Sequence, residues 1–234
     1  MQLKANRSVF PITRNDASFG NNKPIGLLYF GMNDASIAAK PAGRPARERI
    51  LTTARTLFYR EGIHATGVQR LAEVAHVSKR TLYEDFPSKN QLVEAYLRGI
   101  EETGVTNERA LDKSGTPRNR LLAIFDSPPT DRFRGCPFHN AAVEAADEMP
   151  GVHAIVQEHK LWFIRRLTET AAQAGATDPY QLGHQLAVLF EGALALATSL
   201  NDTSPLLHAR AAAEILIDAA VHPTVAGVHL ATDR

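Results

Sequence analysis

The chain is poor in several things that would narrow its chemistry at once. Its 234 residues contain one cysteine, one tryptophan and three methionines. A single thiol, Cys136, excludes an intrachain disulfide and any zinc site built from several thiolates, and it fits a reducing cytoplasm. No stretch approaches the roughly 18 consecutive apolar residues of a membrane span, so no membrane partner is expected. The apolar run Ile25–Phe30 is too short and too late for a secretory signal. Alternating apolar and polar positions of useful length are missing, as are internal repeats at a fixed period. G-x-S-x-G, H-E-x-x-H, G-x-G-x-x-G and a P-loop are all missing too, so no enzyme and no cofactor are expected. His153 and His159 are six residues apart, turned by roughly 240° on a helix, which argues against a metal site.

Net charge is nearly missing as well, at +1. The total conceals an asymmetry: residues 40–90 hold ten Lys/Arg against five Asp/Glu, while residues 91–234 hold twelve against eighteen. A basic module of about fifty residues on an acidic remainder points to a polyanion-binding head on a differently employed body.

What is present is helical periodicity, almost uninterrupted from Arg47. Ile50, Leu51, Ala54, Leu57 and Phe58 form one stripe, stopped by Gly62. Val68, Leu71, Ala72 and Ala75 form a second, with the Thr66 hydroxyl able to cap its start. Ser78 announces a third that buries Leu82 and Phe86 before Pro87. Ser88 and Gln91 read as a capping box for a fourth, carrying Leu92, Val93, Tyr96, Leu97 and Ile100 inward. Beyond Gly115, helices are expected around Leu121–Phe125, ended by Ser127-Pro128-Pro129, then over Pro137–Ala146 and along Val152–Leu167. Two further helices are expected at about 179–200 and 204–221, the last with Ala211, Ile215, Leu216 and Ala219 inward. The fold class is all-α: a three-helix module with a helix-turn-helix followed by a larger helical domain. Residues 1–43 read as a poorly ordered tail or arm, within which Met32 is an alternative start, and 223–234 as a flexible tail.

Three short helices with a tight Ala75-His76-Val77 connection match a helix-turn-helix, whose last helix enters the DNA major groove. With Leu82 and Phe86 turned inward, Lys79, Arg80, Thr81 and Tyr83 project outward. Lys and Arg can pair phosphates or donate to guanine O6 and N7, and Thr can bond a base or lay its methyl on thymine. Helix starts at Thr66-Gly67 and Ser88-Lys89 offer free amides to phosphates.

At these residues the sequence resembles the TetR family of bacterial transcriptional regulators. The run Ala-Glu-Val-Ala-His-Val-Ser-Lys-Arg-Thr-Leu-Tyr-Glu-Asp-Phe-Pro-Ser-Lys, residues 72–89, looks like that family's DNA-binding signature, and Ala54, Leu57-Phe58 and Gly62 look like its first helix. The resemblance implies a DNA-binding domain over 44–104 with its motif at about 67–86, and a helical regulatory and dimerisation domain over 105–222. It implies DNA contacts from Arg44, Thr66, Gly67, Lys79, Arg80, Thr81, Tyr83 and Lys89. Glu84 departs from the family pattern, where many members carry His or Tyr; an acid there repels phosphate or accepts from a cytosine amino group.

The expected protein is a cytoplasmic, ligand-responsive regulator, a repressor by resemblance, acting as a homodimer on a palindromic DNA operator with a small-molecule effector. The competing readings are an activator of the same family and a helical protein–protein adaptor using its basic module on an acidic partner. Candidate pocket residues are Phe125, Phe133, Cys136, Phe138, His139, Trp162, Phe163, His184, Phe190 and Glu191, the polar ones able to orient a ligand among aromatics. Cys136 reads as a buried structural thiol rather than a redox-reactive one. Gly192, Ala193, Ala197, Ile215 and Ala219 are the candidate dimer interface, small enough in the main to let helix backbones approach.

Overall fold

The computed structural model describes residues 43–103, 106–126, 133–145 and 148–222. The expected tail at 1–43 apart from Gly43, the tail at 223–234, the alternative start at Met32 and the Ser127-Pro128-Pro129 break lie outside the described residues.

Every regular element described is helical. Helix α1, Ala46–Glu61, buries Ile50, Ala54, Leu57 and Phe58 and ends at Gly62, whose amide donates to the Phe58 carbonyl. Gly62 takes φ +97°, a left-handed value that glycine adopts without cost. Helices α2, Val68–Val74, and α3, Lys79–Asp85, lie against α1, and α4, Lys89–Thr103, closes the reader by packing Tyr96 edge-on to Phe58 at 5.5 Å. Ser78 caps α3 by accepting from the Thr81 amide at 3.0 Å, and Ser88 accepts from the Gln91 amide at 3.2 Å, which satisfies donors that have no partner within their own helices.

The turn between α2 and α3 is a Schellman closure: the Val77 amide donates to the Ala72 carbonyl and the His76 amide to that of Glu73. His76 occupies the left-handed position at φ +52°, where glycine is the usual solution. Arg49 holds this turn from α1, its guanidinium donating to the carbonyls of Ala75, His76 and Arg44.

After a short 3-10 turn, Asn107–Asp112, come α5, Pro117–Ala123, and α6, Pro137–Ala145. The 24-residue α7, Pro150–Gln173, is the spine against which α4, α5, α6 and α8 pack. Helices α8, Pro179–Leu200, and α9, Ser204–Val221, form a hairpin turned at Asn201. The α7–α8 crossing is close at Gly183, where a Cβ would meet Thr168 Oγ1 at 2.5 Å and the Thr168 amide nitrogen at 2.9 Å.

Two local expectations are corrected. Thr66 does not cap α2; Gly67 holds that position, and the Thr66 hydroxyl turns back to the Gly62 carbonyl at 2.6 Å. Along α9, Ala211, Ile215 and Ala219 face outward, Leu216 is half-buried, and Leu206, Ala209, Ala213 and Ile217 fill the core. That helix is apolar nearly all round, so its period does not single out an inner face.

Candidate nucleic-acid interface and regulatory cleft

Burial of Leu82 and Phe86 fixes the rotation of α3, and Arg47 lies over the Phe86 ring at 5.0 Å, bracing that anchor. Lys79, Arg80, Tyr83 and Glu84 are consequently exposed, Tyr83 at 47%, unusual for so large a ring without a partner. Thr81 is half-buried, with its hydroxyl 2.9 Å from that of Ser78. The Arg80 guanidinium donates from Nε to Glu84 Oε1 at 2.9 Å.

Around this helix, Gly67 is exposed at the start of α2, Lys89 is half-buried at the start of α4, and Arg44 is exposed beside Glu48 at 3.7 Å. Desolvation lowers the Lys89 pKa, partly offset by the negative charge of Glu144. Thr66 is the exception among the expected contacts. It is 0% exposed and has both its hydroxyl and its amide committed to Gly62, so its side chain offers nothing to a duplex.

In the body, a cleft of about 410 Å³ opens between α6 with its lead-in 133–136 and the outer half of α8. Three of the ten expected pocket residues line it: Cys136, His139 and Glu191. The other seven lie elsewhere. Phe125, Phe163 and Phe190 interlock as core, with ring centroids 5.7 and 5.4 Å apart about Phe190. Phe138 stacks on His159 at 3.6 Å, Phe133 is half-buried against the core, and Trp162 lies beneath the Arg109 guanidinium at 5.5 Å. His184 sits near the start of α8 against Tyr180. Sequence reasoning missed Arg134, Gly135, Asn140, Val143 and Glu144 on the near wall and Leu194, Ala195, Thr198 and Ser199 on the far one. A signal existed: His139, Asn140, Val143 and Glu144 follow the i, i+1, i+4, i+5 spacing of a single helix face.

The inner wall of the cleft carries a half-buried polar cluster. Lys160 donates to Cys136 Sγ at 3.4 Å and to the Glu191 carboxylate. Ligand atoms of Glu108, Cys136 and Glu191 lie within 4.8 Å of one another, and the Lys160 ammonium supplies that group with its cation. Burial disfavours this ammonium, but the carboxylates of Glu191 and Glu108, joined at high pH by the Cys136 thiolate, outweigh burial and its pKa is raised. Burial pushes the Cys136 thiol up to about 11, so it is protonated at neutral pH, as expected of a structural cysteine. His159 lies between Glu101 and Glu108, at 3.5 and 3.6 Å. For Glu108, the His159 ring at 3.6 Å and the charge of Lys160 outweigh desolvation, holding its carboxyl below the usual range.

The lead-in to α6 also touches the reader. Tyr59 of α1 accepts from the Arg134 amide at 2.9 Å and donates to the Gly135 carbonyl at 3.3 Å. Burial pushes the Tyr59 hydroxyl up to about 12, so it remains a donor across the neutral range. Arg134 also donates to the Arg60 carbonyl, and Glu144 accepts from the His64 amide at 3.0 Å while its carbonyl meets the His64 ring. Gly135, at φ +69°, packs so tightly on α8 that a Cβ would meet Thr198 Oγ1 at 2.4 Å.

The expected dimer residues divide. Gly192, Ile215 and Ala219 face outward, whereas Ala193 and Ala197 are buried in their own protomer and cannot meet a partner directly.

Comparison with known proteins agrees with this architecture. Residues 50–96 match the family described as bacterial regulatory proteins, tetR family, and residues 118–213 match the tetracyclin repressor-like C-terminal domain. The HTH-type transcriptional regulator YxaF of Bacillus subtilis is 28% identical over 177 residues, covering 69% of this chain and 90% of that protein. The regulator TtgR of Pseudomonas putida is 30% identical over 93 residues, covering 37% of this chain and 44% of its own length. A crystal structure of a TetR-family regulator from Streptomyces coelicolor superposes with a TM-score of 0.67 at 32% identity, covering 75% of this chain and 96% of that one. Another, from Streptomyces avermitilis, gives 0.65 at 31%, covering 76% and 98%. With a helix-turn-helix whose outward face carries Lys79, Arg80 and Tyr83, and with both halves matched, the chain belongs to the TetR family of DNA-binding transcriptional regulators.

Proposed function

We propose that the protein is a ligand-responsive repressor that binds a palindromic operator as a homodimer and releases it when a small molecule occupies the α6–α8 cleft. The observation that carries this reading is shared structure: Arg134, Gly135 and Glu144 line the cleft or its mouth and also hold the reader through Tyr59, Arg60 and His64. A ligand that displaces α6 cannot leave those contacts unchanged. Its differential affinity for the two arrangements sets how far operator affinity falls. The cleft volume lies within the range of roughly 300–1,000 Å³ usual for small-molecule sites.

The homodimer is supported by the outer face of the α8–α9 hairpin. Leu207, Ala211, Ile215 and Ala219 form an exposed i, i+4 stripe on α9, with Ile215 72% exposed, and Val188, Gly192 and Leu196 are exposed along α8, Val188 at 75%. An apolar face of this extent on two adjacent helices is what a two-fold four-helix interface covers. Such a dimer presents two α3 helices to half-sites roughly 34–36 Å apart, one DNA turn.

The direct test is selection of genomic fragments by the purified full-length protein, followed by a ligand-displacement screen on the selected duplex. Retention of a palindrome, with affinity falling as salt rises, is expected. Equal retention of all sequences, or binding of one protomer per palindrome, would refute the reading.

A further inference from the structure

On a helix each residue advances by about 100°, so the direction opposite buried Leu82 on α3 falls between Arg80 and Glu84, with Lys79 and Tyr83 to one side of them. The centre of the outward face is therefore an ion pair and not a cation alone: Arg80 Nε is 2.9 Å from Glu84 Oε1, with the two side chains 88% and 59% exposed. In water such a pair contributes little to stability. A carboxylate at the middle of a surface that approaches phosphates weakens general attraction to DNA. It also fixes its neighbour: with Nε committed to Glu84, Arg80 has the N–H groups of its two terminal nitrogens left, a fork that matches guanine O6 and N7 end-on. The second oxygen of Glu84 remains an acceptor.

We propose that Arg80 and Glu84 act as one base-reading unit that selects a G·C pair in each half-site, Arg80 donating to guanine and Glu84 accepting from the N4 amino group of the cytosine in that pair or the adjoining one. Cytosine is the base that suits a carboxylate. It offers the major groove a donor alone, whereas adenine sets an N7 acceptor beside its amino group, and guanine and thymine offer only acceptors there. Glu84 thus rejects three bases by leaving a desolvated carboxylate facing an acceptor. The inference rests on the DNA-reading role of α3 and adds which bases it reads.

The test is selection from a duplex library randomised across both half-sites, using the full-length protein and its E84A, E84Q and R80A variants, each checked for an unchanged melting temperature. In the wild type, one G·C column per half-site is expected to be strongly preferred. E84A should lose roughly five- to tenfold in cytosine preference at one column, the low end for a base contact. It should leave the remaining columns as they were and bind random duplex more tightly. E84Q should admit adenine at that column, because glutamine can accept and donate to the adenine edge together. R80A should flatten the guanine column. Identical columns in wild type, E84A and E84Q, or a change in affinity equal for all sequences, overturn the inference while leaving the reader assignment intact. A wild-type protein that selects no sequence overturns the reader assignment itself.

Discussion

Replacing Tyr59 by Phe removes one oxygen atom from the seam between reader and body. That oxygen accepts from the Arg134 amide and donates to the Gly135 carbonyl, and both Tyr59 and Gly135 are buried. Each fully buried polar group left unpaired costs about 1–3 kcal/mol; counting Gly135 in full and half-buried Arg134 in part, the substitution should destabilise the protein by about 2–4 kcal/mol. The ring itself is retained, so cavity formation adds little. Urea unfolding of wild type and Y59F at equal protein concentration reads the difference as a lower midpoint at unchanged slope. Hydrogen exchange localises it: the Arg134 amide should exchange at least about tenfold faster, since roughly 1.4 kcal/mol of lost protection is a factor of ten. A loss of stability below about 0.5 kcal/mol, the size expected of a neutral surface change, would refute the assignment of this hydroxyl as a structural bridge.

Three further outcomes follow from particular residues. His76 stands at φ +52° with its side chain exposed, where the left-handed conformation costs an L-residue about 1–2 kcal/mol; glycine returns part of that gain through its freer unfolded chain, so H76G should stabilise by about 0.5–1 kcal/mol and H76V should destabilise, as differential scanning calorimetry would show. Arginine at Ile215 should raise the dimer dissociation constant by about 10²–10⁴, because burying isoleucine contributes about 1.5–3 kcal/mol and a two-fold interface loses two of them; sedimentation equilibrium giving wild-type dimerisation would place the interface elsewhere. The carboxyl of Glu108 is depressed in the folded protein from its ordinary value of 4.5, so its stabilisation is complete above that pH and disappears as pH falls through the depressed folded value. E108Q should therefore be less stable at pH 7 and show a shallower loss of stability below pH 4.5 than the wild type, measured by unfolding midpoints across that range.

The reader was legible because its residues are constrained locally and from several directions. Ser78, Ser88, Gly62 and Pro87 mark element ends by chemistry that acts within four residues, and Leu82 with Phe86 sets the rotation of α3. Thr66 was misread because a threonine before a helix can cap forward or donate backward, and the choice depends on the buried Gly62 carbonyl, which spacing does not reveal. In the body, aromatic residues drew attention to the core and away from the cleft. Phe125, Phe163 and Phe190 are buried because large rings dominate helical cores. The cleft is instead walled mostly by polar and small residues from segments some 60 residues apart, Arg134–Glu144 and Glu191–Ser199, whose approach is a tertiary fact. The register of α9 failed for a related reason: alanine is compatible with core, interface and surface alike.

Charge carries the same distinction between local and assembled properties. A total of +1 gives no hint of a polyanion partner, and even the balance of +5 over residues 40–90 does not say where on the reader the charge acts. The structure assigns much of it to internal work: Arg49 is committed to the α2–α3 turn, Arg55 to the Gly99 carbonyl, Arg47 to Phe86 and Arg70 to Glu61. What remains outward on α3 is Lys79 and an Arg80 already engaged by Glu84. So small an uncommitted charge on the recognition helix, on a chain whose residues 91–234 balance to −6, makes general attraction to phosphates weak. Binding then depends more heavily on base-edge contacts, and a reader of this kind should lose most of its affinity on non-cognate duplex while showing a shallower salt slope than one with a fully cationic face.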